Sequence, residues 1–165
     1  RPAVSSRIGE EGKGFKIRRG QFKLSRVVVA AQGVGIARAA LQESMKYTKR
    51  RRHVGQPLAC FQATQFKIAD MATKIETART MVHRSAWLLD QGTPDTKLTA
   101  MAKMFACHVA VEVVDESLQL HGGYGYWNDY PIERFYWAAK VLEIYEGTKE
   151  VEKIIISREI LGKFS

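Results

Sequence analysis

The stretch 68–89, IADMATKIETARTMVHRSAWLL, decides the fold class. Ile68, Met71, Ile75, Ala78, Val82, Ala86 and Leu89 recur at spacings of three and four, which places them on one face of a helix. Lys and Glu occupy the opposite face, so the segment reads as a surface helix with one side against a core. Gly92 and Pro94 end it, and Asp95 is placed to accept from the first backbone N–H groups of a following helix. That helix runs to about Leu120, with Met101, Met104, Phe105 and Val109 on one face. So short a connection predicts antiparallel neighbours.

Upstream, Val27, Ala30, Val34, Ala37, Leu41 and Met45 repeat the pattern and predict a long first helix. Gly33 and Gly35 weaken it locally, and close packing against a neighbouring helix accounts for them. A connection from about Lys49 to Cys60 contains Gly55 and Pro57. Downstream, a loop rich in Gly and aromatics spans His121 to Tyr130, and Pro131 suits the start of a short helix. Thr148 reads as the N-cap of a last helix carrying Val151, Ile154, Ile155 and Leu161. No strand-length alternation of period two occurs. The prediction is an all-α, up-and-down four-helix bundle over residues 15–165, with an irregular lead-in over 1–14.

Composition narrows the classes. The 45% hydrophobic and 26% charged content is that of an ordinary globular chain. No apolar run approaches the ~20 residues of a membrane span, and no secretory leader is visible. Cys60 and Cys107 form no CxxC pair and read as buried free thiols of a reducing compartment. The net charge of +9 favours anionic partners. Lys49, Arg50, Arg51 and Arg52 form the densest basic cluster, which reads as a solvated helix end because cations suit helix C-termini. No nucleic-acid motif accompanies it.

Local chemistry leaves alternatives open. The segment His121-Gly122-Gly123-Tyr124-Gly125-Tyr126 follows a helix rather than a strand, which excludes a dinucleotide-binding turn. It is either a helix C-cap or a nest of backbone N–H groups for a phosphate. Glu146, between an aromatic and a glycine, is either a helix-start charge or a carboxylate tuned as a general base. The four histidines lack metal-ligand spacing, and no metal site is expected. The tryptophans and tyrosines of the second half read as core.

Read together, six segments in order resemble the C-terminal domain of acyl-CoA dehydrogenases over nearly the whole chain. They are Ala30-Ala31-Gln32 with Gly35-Ile36-Ala37; Gln62-Ala63-Thr64-Gln65-Phe66 with Ala69-Asp70-Met71; Ala102-Lys103; Gln119 to Tyr126; Pro131-Ile132-Glu133-Arg134; and Ile144-Tyr145-Glu146-Gly147-Thr148. The resemblance implies an FAD enzyme that converts an acyl-CoA to the trans-2-enoyl-CoA. Glu146 matches the base that removes the α-proton, and Tyr145 and Gly147 the acyl pocket beside it. Arg51, Gln62, Gln119, Gly122 and Gly123 match cofactor contacts, typically made to FAD of a neighbouring subunit. Thr148 matches a pyrophosphate contact and Arg26 a CoA-side contact.

The same resemblance implies an electron-transfer flavoprotein as acceptor, a homotetramer, and a bacterial or archaeal cytoplasmic or a mitochondrial matrix setting. It places the enzyme's N-terminal helical and middle β domains outside these 165 residues. An acyl-CoA oxidase and a non-catalytic assembly module of the same fold are the alternatives. Several positions depart from the family pattern: Trp137-Ala138 stand where a charged pair is usual, a change that an apolar packing substitute would accommodate, and Lys23, Val54 and Glu150 replace an acidic residue, Phe and Gln.

Overall fold

The computed structural model describes residues 6–162, apart from the side chain of Arg19. Five helices carry the fold: α1 (Gly14–Arg50), α2 (Gln62–Asp90), α3 (Thr96–His121), α4 (Ile132–Leu142) and α5 (Lys149–Leu161). Residues 1–5 of the lead-in and 163–165 of the last segment lie outside the described residues. Between α1 and α2 the chain makes a minimal hairpin, β1 (Arg52–His53) with β2 (Gln56–Pro57), paired antiparallel with Arg52 opposite Pro57. Its two-residue turn puts Val54 at φ 47° and Gly55 at φ 76°. That is the geometry whose twist matches antiparallel strands, at a steric cost to the β-branched Val54. Two-residue strands carry no alternation, so no period-two pattern in the sequence announces them.

The helix order is up, down, up. Ser85 bonds Thr99, Lys74 pairs with Glu112 and Lys67 with Glu116, so α2 and α3 run antiparallel as predicted. Gly33 faces Ala106 and Tyr47 reaches His121, a constant offset that makes α1 and α3 parallel. A Cβ on Gly33 would stand 2.9 Å from the Ala106 carbonyl oxygen, which is the close helix approach expected there. Gly35 meets nothing within 4 Å, so that explanation does not extend to it.

The core is built from Val27, Ala30, Val34 and Ala37 of α1, Met71, Ile75 and Val82 of α2, and Ala106, Val109 and Val113 of α3. Small side chains dominate the α1–α3 seam, which lets the two backbones come close. Asp95 caps α3 by accepting from Leu98 N, Thr148 caps α5 by accepting from Val151 N, and Pro131 stands at the N-cap of α4.

Several expectations need correction. Cys107 is buried but Cys60 is exposed. Trp87, Trp127 and Tyr126 are exposed rather than core, as is Trp137 at 79%. Trp137 and Ala138 therefore form no packed apolar substitute for the usual charged pair. Met45 also lies largely outside the α1 core face. In α5, Val151, Ile154 and Leu161 are exposed, and the one fully buried side chain is Glu152. Finally, α1 is long and apolar enough to cross a membrane by length and composition alone. Its apolar positions are spent on α2, α3 and α4 instead, since Val27, Ala30, Val34 and Ala37 form the core.

Candidate functional site

The α4–α5 connection holds Glu146 at φ 55° and Gly147 at φ 116°, both in the left-handed half of backbone space. A glutamate there is uncommon and persists only where its surroundings over-determine it. Those surroundings come largely from α1. Arg18, Ser25 and Gln32 are spaced by seven residues, two helical turns, and form one polar stripe. Arg18 Nη2 donates to Glu146 Oε1 at 2.9 Å, and Ser25 Oγ to Glu146 Oε2 at 2.7 Å. Gln32 Oε1 accepts from the Tyr145 hydroxyl at 2.6 Å. Burial of that phenol raises its pKa above the ordinary value.

Beneath the turn lies a buried ionic layer. Arg26 Nε lies 2.9 Å from Glu152 Oε1, and both side chains are almost fully enclosed. The Arg26 Nε–H is also aimed at the Glu146 carbonyl oxygen, at 3.4 Å. Neither Glu152 oxygen gains a well-directed donor among the described residues. Desolvation therefore outweighs the attraction of Arg26 and Lys103, and the Glu152 pKa rises to about 7. Lys103, 1% exposed on α3, donates to the Gly147 carbonyl. Its own pKa is lowered by burial. A side chain on Gly147 would run into the Glu152 carboxylate, so only glycine fits.

On the other flank, Glu143 draws Lys140 at 2.7 Å and Lys149 at 3.1 Å, with His108 of α3 at 3.5 Å. Burial works to raise the Glu143 pKa, but the hydrogen bonds from Lys140 and Lys149 prevail and hold it below the ordinary value. Cys107, one turn after Lys103, is pushed up to about 12 by burial and stays an inert thiol. Arg26 also lines a cleft of about 360 Å³ with Phe22, Lys23 and Arg158, where one carboxylate, Glu159, opposes three cations.

A second site lies at the far end of α1. Arg51, Gln119, Gly122 and Gly123 line one cavity of about 460 Å³ with Tyr47 and His121. Gly122, at φ 59°, ends α3 and opens a short 3-10 turn to Tyr126. The His121 ring stacks on Tyr47 at 4.2 Å, and its Nδ1 lies 2.7 Å from the Ser117 carbonyl. Burial lowers its pKa, so it is neutral at pH 7. Arg51 lies over the Tyr124 ring at 5.2 Å and is otherwise open to solvent, a guanidinium with its hydrogen-bonding fork unspent. The Gly122 N–H is taken by the Gln119 and Leu118 carbonyls, so what suits a phosphate group here is the Arg51 guanidinium beside two glycines that put no side chain over the cavity.

The sequence-predicted residues thus divide into two groups. Glu146, Tyr145, Gly147, Thr148 and Arg26 gather at the α4–α5 turn, whereas Arg51, Gln119, Gly122 and Gly123 share the other cavity. Gln62, exposed at the first turn of α2, lines neither. From Arg26 to Arg51 along α1 is roughly 37 Å at 1.5 Å per residue. Arg18, Ser25, Glu152 and Glu143 were not anticipated as part of the site. Arg18, Ser25 and Gln32 share one face through their seven-residue spacing, but that alone does not set them apart from other polar residues of a surface helix, and the buried acids carried no signal either. Among the described residues no group of His, Cys, Asp or Glu could hold a metal ion.

Comparison with known proteins gives this architecture a family. The acyl-CoA dehydrogenase C-terminal domain family matches residues 12–161. Acryloyl-CoA reductase (NADH) of Anaerotignum propionicum is 47% identical over 99% of this chain and 41% of its own length. The structure of butyryl-CoA dehydrogenase from Megasphaera elsdenii superposes with a TM-score of 0.90 at 45% identity, over 93% of this chain and 40% of that one. A chain in a structure of the electron transferring flavoprotein of Acidaminococcus fermentans gives a TM-score of 0.90 at 48% identity, over 94% of this chain and 41% of that chain. The chain spans about two fifths of the length of these relatives. With a glutamate fixed on a left-handed turn above a buried ionic layer, and a family match across almost its full length, this chain belongs to the acyl-CoA dehydrogenase family, to which it corresponds as the C-terminal domain.

Proposed function

We propose that this domain supplies the catalytic base and part of the FAD site for α,β-dehydrogenation of an acyl-CoA thioester to the trans-2-enoyl-CoA. One observation carries the reading: the Glu146 carboxylate is held on a turn fixed from two helices, α1 and α3, with each oxygen already oriented by an α1 donor. A general base needs a fixed position relative to the proton it takes. The Arg26 and Lys103 contacts to successive carbonyls fix the backbone that carries it.

In this reading Glu146 abstracts the α-proton, and Tyr145 and Gly147 line the acyl group beside it. FAD, when bound, supplies the acceptor for the hydride from the β-carbon. Arg26, with Lys23 and Arg158, gives the cleft a positive balance suited to the phosphates of CoA. Thr148 and the α5 N-terminus suit one end of the FAD pyrophosphate. Arg51, Gln119, Gly122 and Gly123 suit the other parts of the cofactor. On the family resemblance, the Arg51 group serves the FAD of a neighbouring subunit, which is the ground for proposing a homo-oligomer, a tetramer in this reading. Gln62 remains assigned to the cofactor on family resemblance alone.

The relatives' names include both a reductase and a dehydrogenase, and a base that removes an α-proton also returns one by microscopic reversibility. An electron-transfer flavoprotein is the proposed electron partner, β-oxidation of acyl groups the setting, and the bacterial cytoplasm the compartment. Anaerobic titration of the full-length flavoprotein with acyl-CoA tests the reading. Bleaching of the flavin by the wild type, lost in Glu146→Gln with FAD content unchanged, is the expected result. Equal bleaching by the variant removes Glu146 from the reaction.

A further inference from the structure

We propose that Glu152 is a positioning residue for the base: its buried charge holds Arg26 and Lys103 on the backbone of the Glu146 turn and keeps their field off the Glu146 carboxylate. The proposal rests on the reading of Glu146 as the base and adds to it a residue that acts through two others. Glu152 is wholly buried in the first turn of α5. Arg26 Nε lies 2.9 Å from Glu152 Oε1, yet its N–H is directed at the Glu146 carbonyl oxygen, 3.4 Å away. Lys103, which donates to the Gly147 carbonyl, is attracted by the same carboxylate. The Glu152 carboxylate also fills the space that a side chain on Gly147 would need. One acid thus stands beneath the turn and balances both cations that hold its carbonyls.

The charged and titratable groups around Glu152 are Arg26 from α1, Lys103 and Cys107 from α3, and Glu143 and Glu146 from the connection before α5. Burial pushes the Cys107 thiol up to about 12 and keeps it neutral. Glu143 is matched by Lys140 and Lys149. Glu152 is therefore the counter-charge of Arg26 and Lys103. When it takes a proton, both lose that counter-charge in a buried setting, which is costly. Glu146 then becomes the acid of the turn on which their field acts. A carboxylate stabilised in this way takes a proton from substrate less readily. Burial raises the Glu152 pKa to about 7, so the change of charge falls near neutral pH.

The test measures flavin reduction by a saturating acyl-CoA in the full-length wild type and in Glu152→Gln, from pH 6 to pH 8. Glutamine has the shape of the protonated acid, which the fold already accommodates. The two rates should converge toward pH 6. At pH 8 the variant should be about tenfold slower, the scale of one uncompensated charge acting through protein. Affinity for the acyl-CoA, measured with and without Glu152→Gln in a Glu146→Gln background, should be unchanged. A wild-type-to-variant ratio that stays constant with pH marks a purely structural residue and overturns the proposal, as does a loss confined to binding. If no acyl-CoA reduces the flavin of the wild type, the reading of Glu146 fails separately. The carboxyl carbon-13 resonance of Glu146, identified by its absence from Glu146→Gln, then decides the coupling. A displacement through neutral pH that Glu152→Gln removes supports it, and identical titrations in the two proteins overturn it.

Discussion

The two ends of α1 solve opposite problems. At its C-terminal end, the exposed Arg51 guanidinium stands beside Gly122 and Gly123 around an open cavity, with the Gly122 N–H already taken by the end of α3. Toward its N-terminal end, Arg18, Ser25, Arg26 and Gln32 already have partners within the domain, all of them on the turn around Glu146 or on Glu152 directly below it. The first, in the proposed reading, is a recognition surface that keeps its guanidinium open. The second is a rigid mount, whose polar groups are consumed in holding one carboxylate. A recognition surface tolerates substitution structurally and loses binding. A mount loses both stability and rate.

Glu146→Gln should produce the largest effect, a fall of ~10²–10⁴-fold in dehydrogenation with the fold intact, the range for loss of a general base. Stopped-flow flavin reduction and circular dichroism together check it. Arg51→Ala should weaken FAD retention by about 10- to 100-fold while leaving the melting temperature of the apoprotein unchanged. A drop in melting temperature would erase the distinction between the two ends. Gly147→Ala should do the reverse, costing about 1–3 kcal/mol of stability because a Cβ at φ 116° meets the Glu152 carboxylate. Thermal unfolding of the variant measures that cost.

The smallest effect is the sharpest probe of the buried layer. Glu152 has its pKa raised from 4.5 to about 7, so between those values the folded state binds more protons than the unfolded one. Its contribution to stability therefore declines as pH rises through that window. Glu143, whose pKa is lowered, contributes with the opposite sign and loses its contribution in acid. Denaturant titrations from pH 4.5 to 7.5 should show a downward trend in the wild type that is removed in Glu152→Gln. An unchanged slope would show that Glu152 titrates normally.

Much of this was legible beforehand. The stripe from Ile68 to Leu89, the Asp95 and Thr148 caps and the break at Gly92 and Pro94 each follow from a local rule that needs no tertiary information. The close approach at Gly33 was also readable, whereas Gly35 shows that the same residue type need not mean the same thing. Trp127 and Trp137 were misjudged because apolar character predicts core only on average, and this domain leaves large aromatics exposed. The site divides similarly. Glu146 and Gly147 stood out through a family motif, but Arg18 and Ser25 look like ordinary surface residues of a basic helix until the turn is laid across them.

The sequence by itself determined the helices, their caps and their order, because periodicity and capping are properties of residues a few positions apart. Only the tertiary structure decided that Glu152, more than forty residues from Lys103 and more than one hundred from Arg26, lies buried with both of them. It alone brought Arg18 to Glu146 across 128 positions. Electrostatic pairing depends on distance in space and on the exclusion of water, and neither is written in the spacing of residues along the chain.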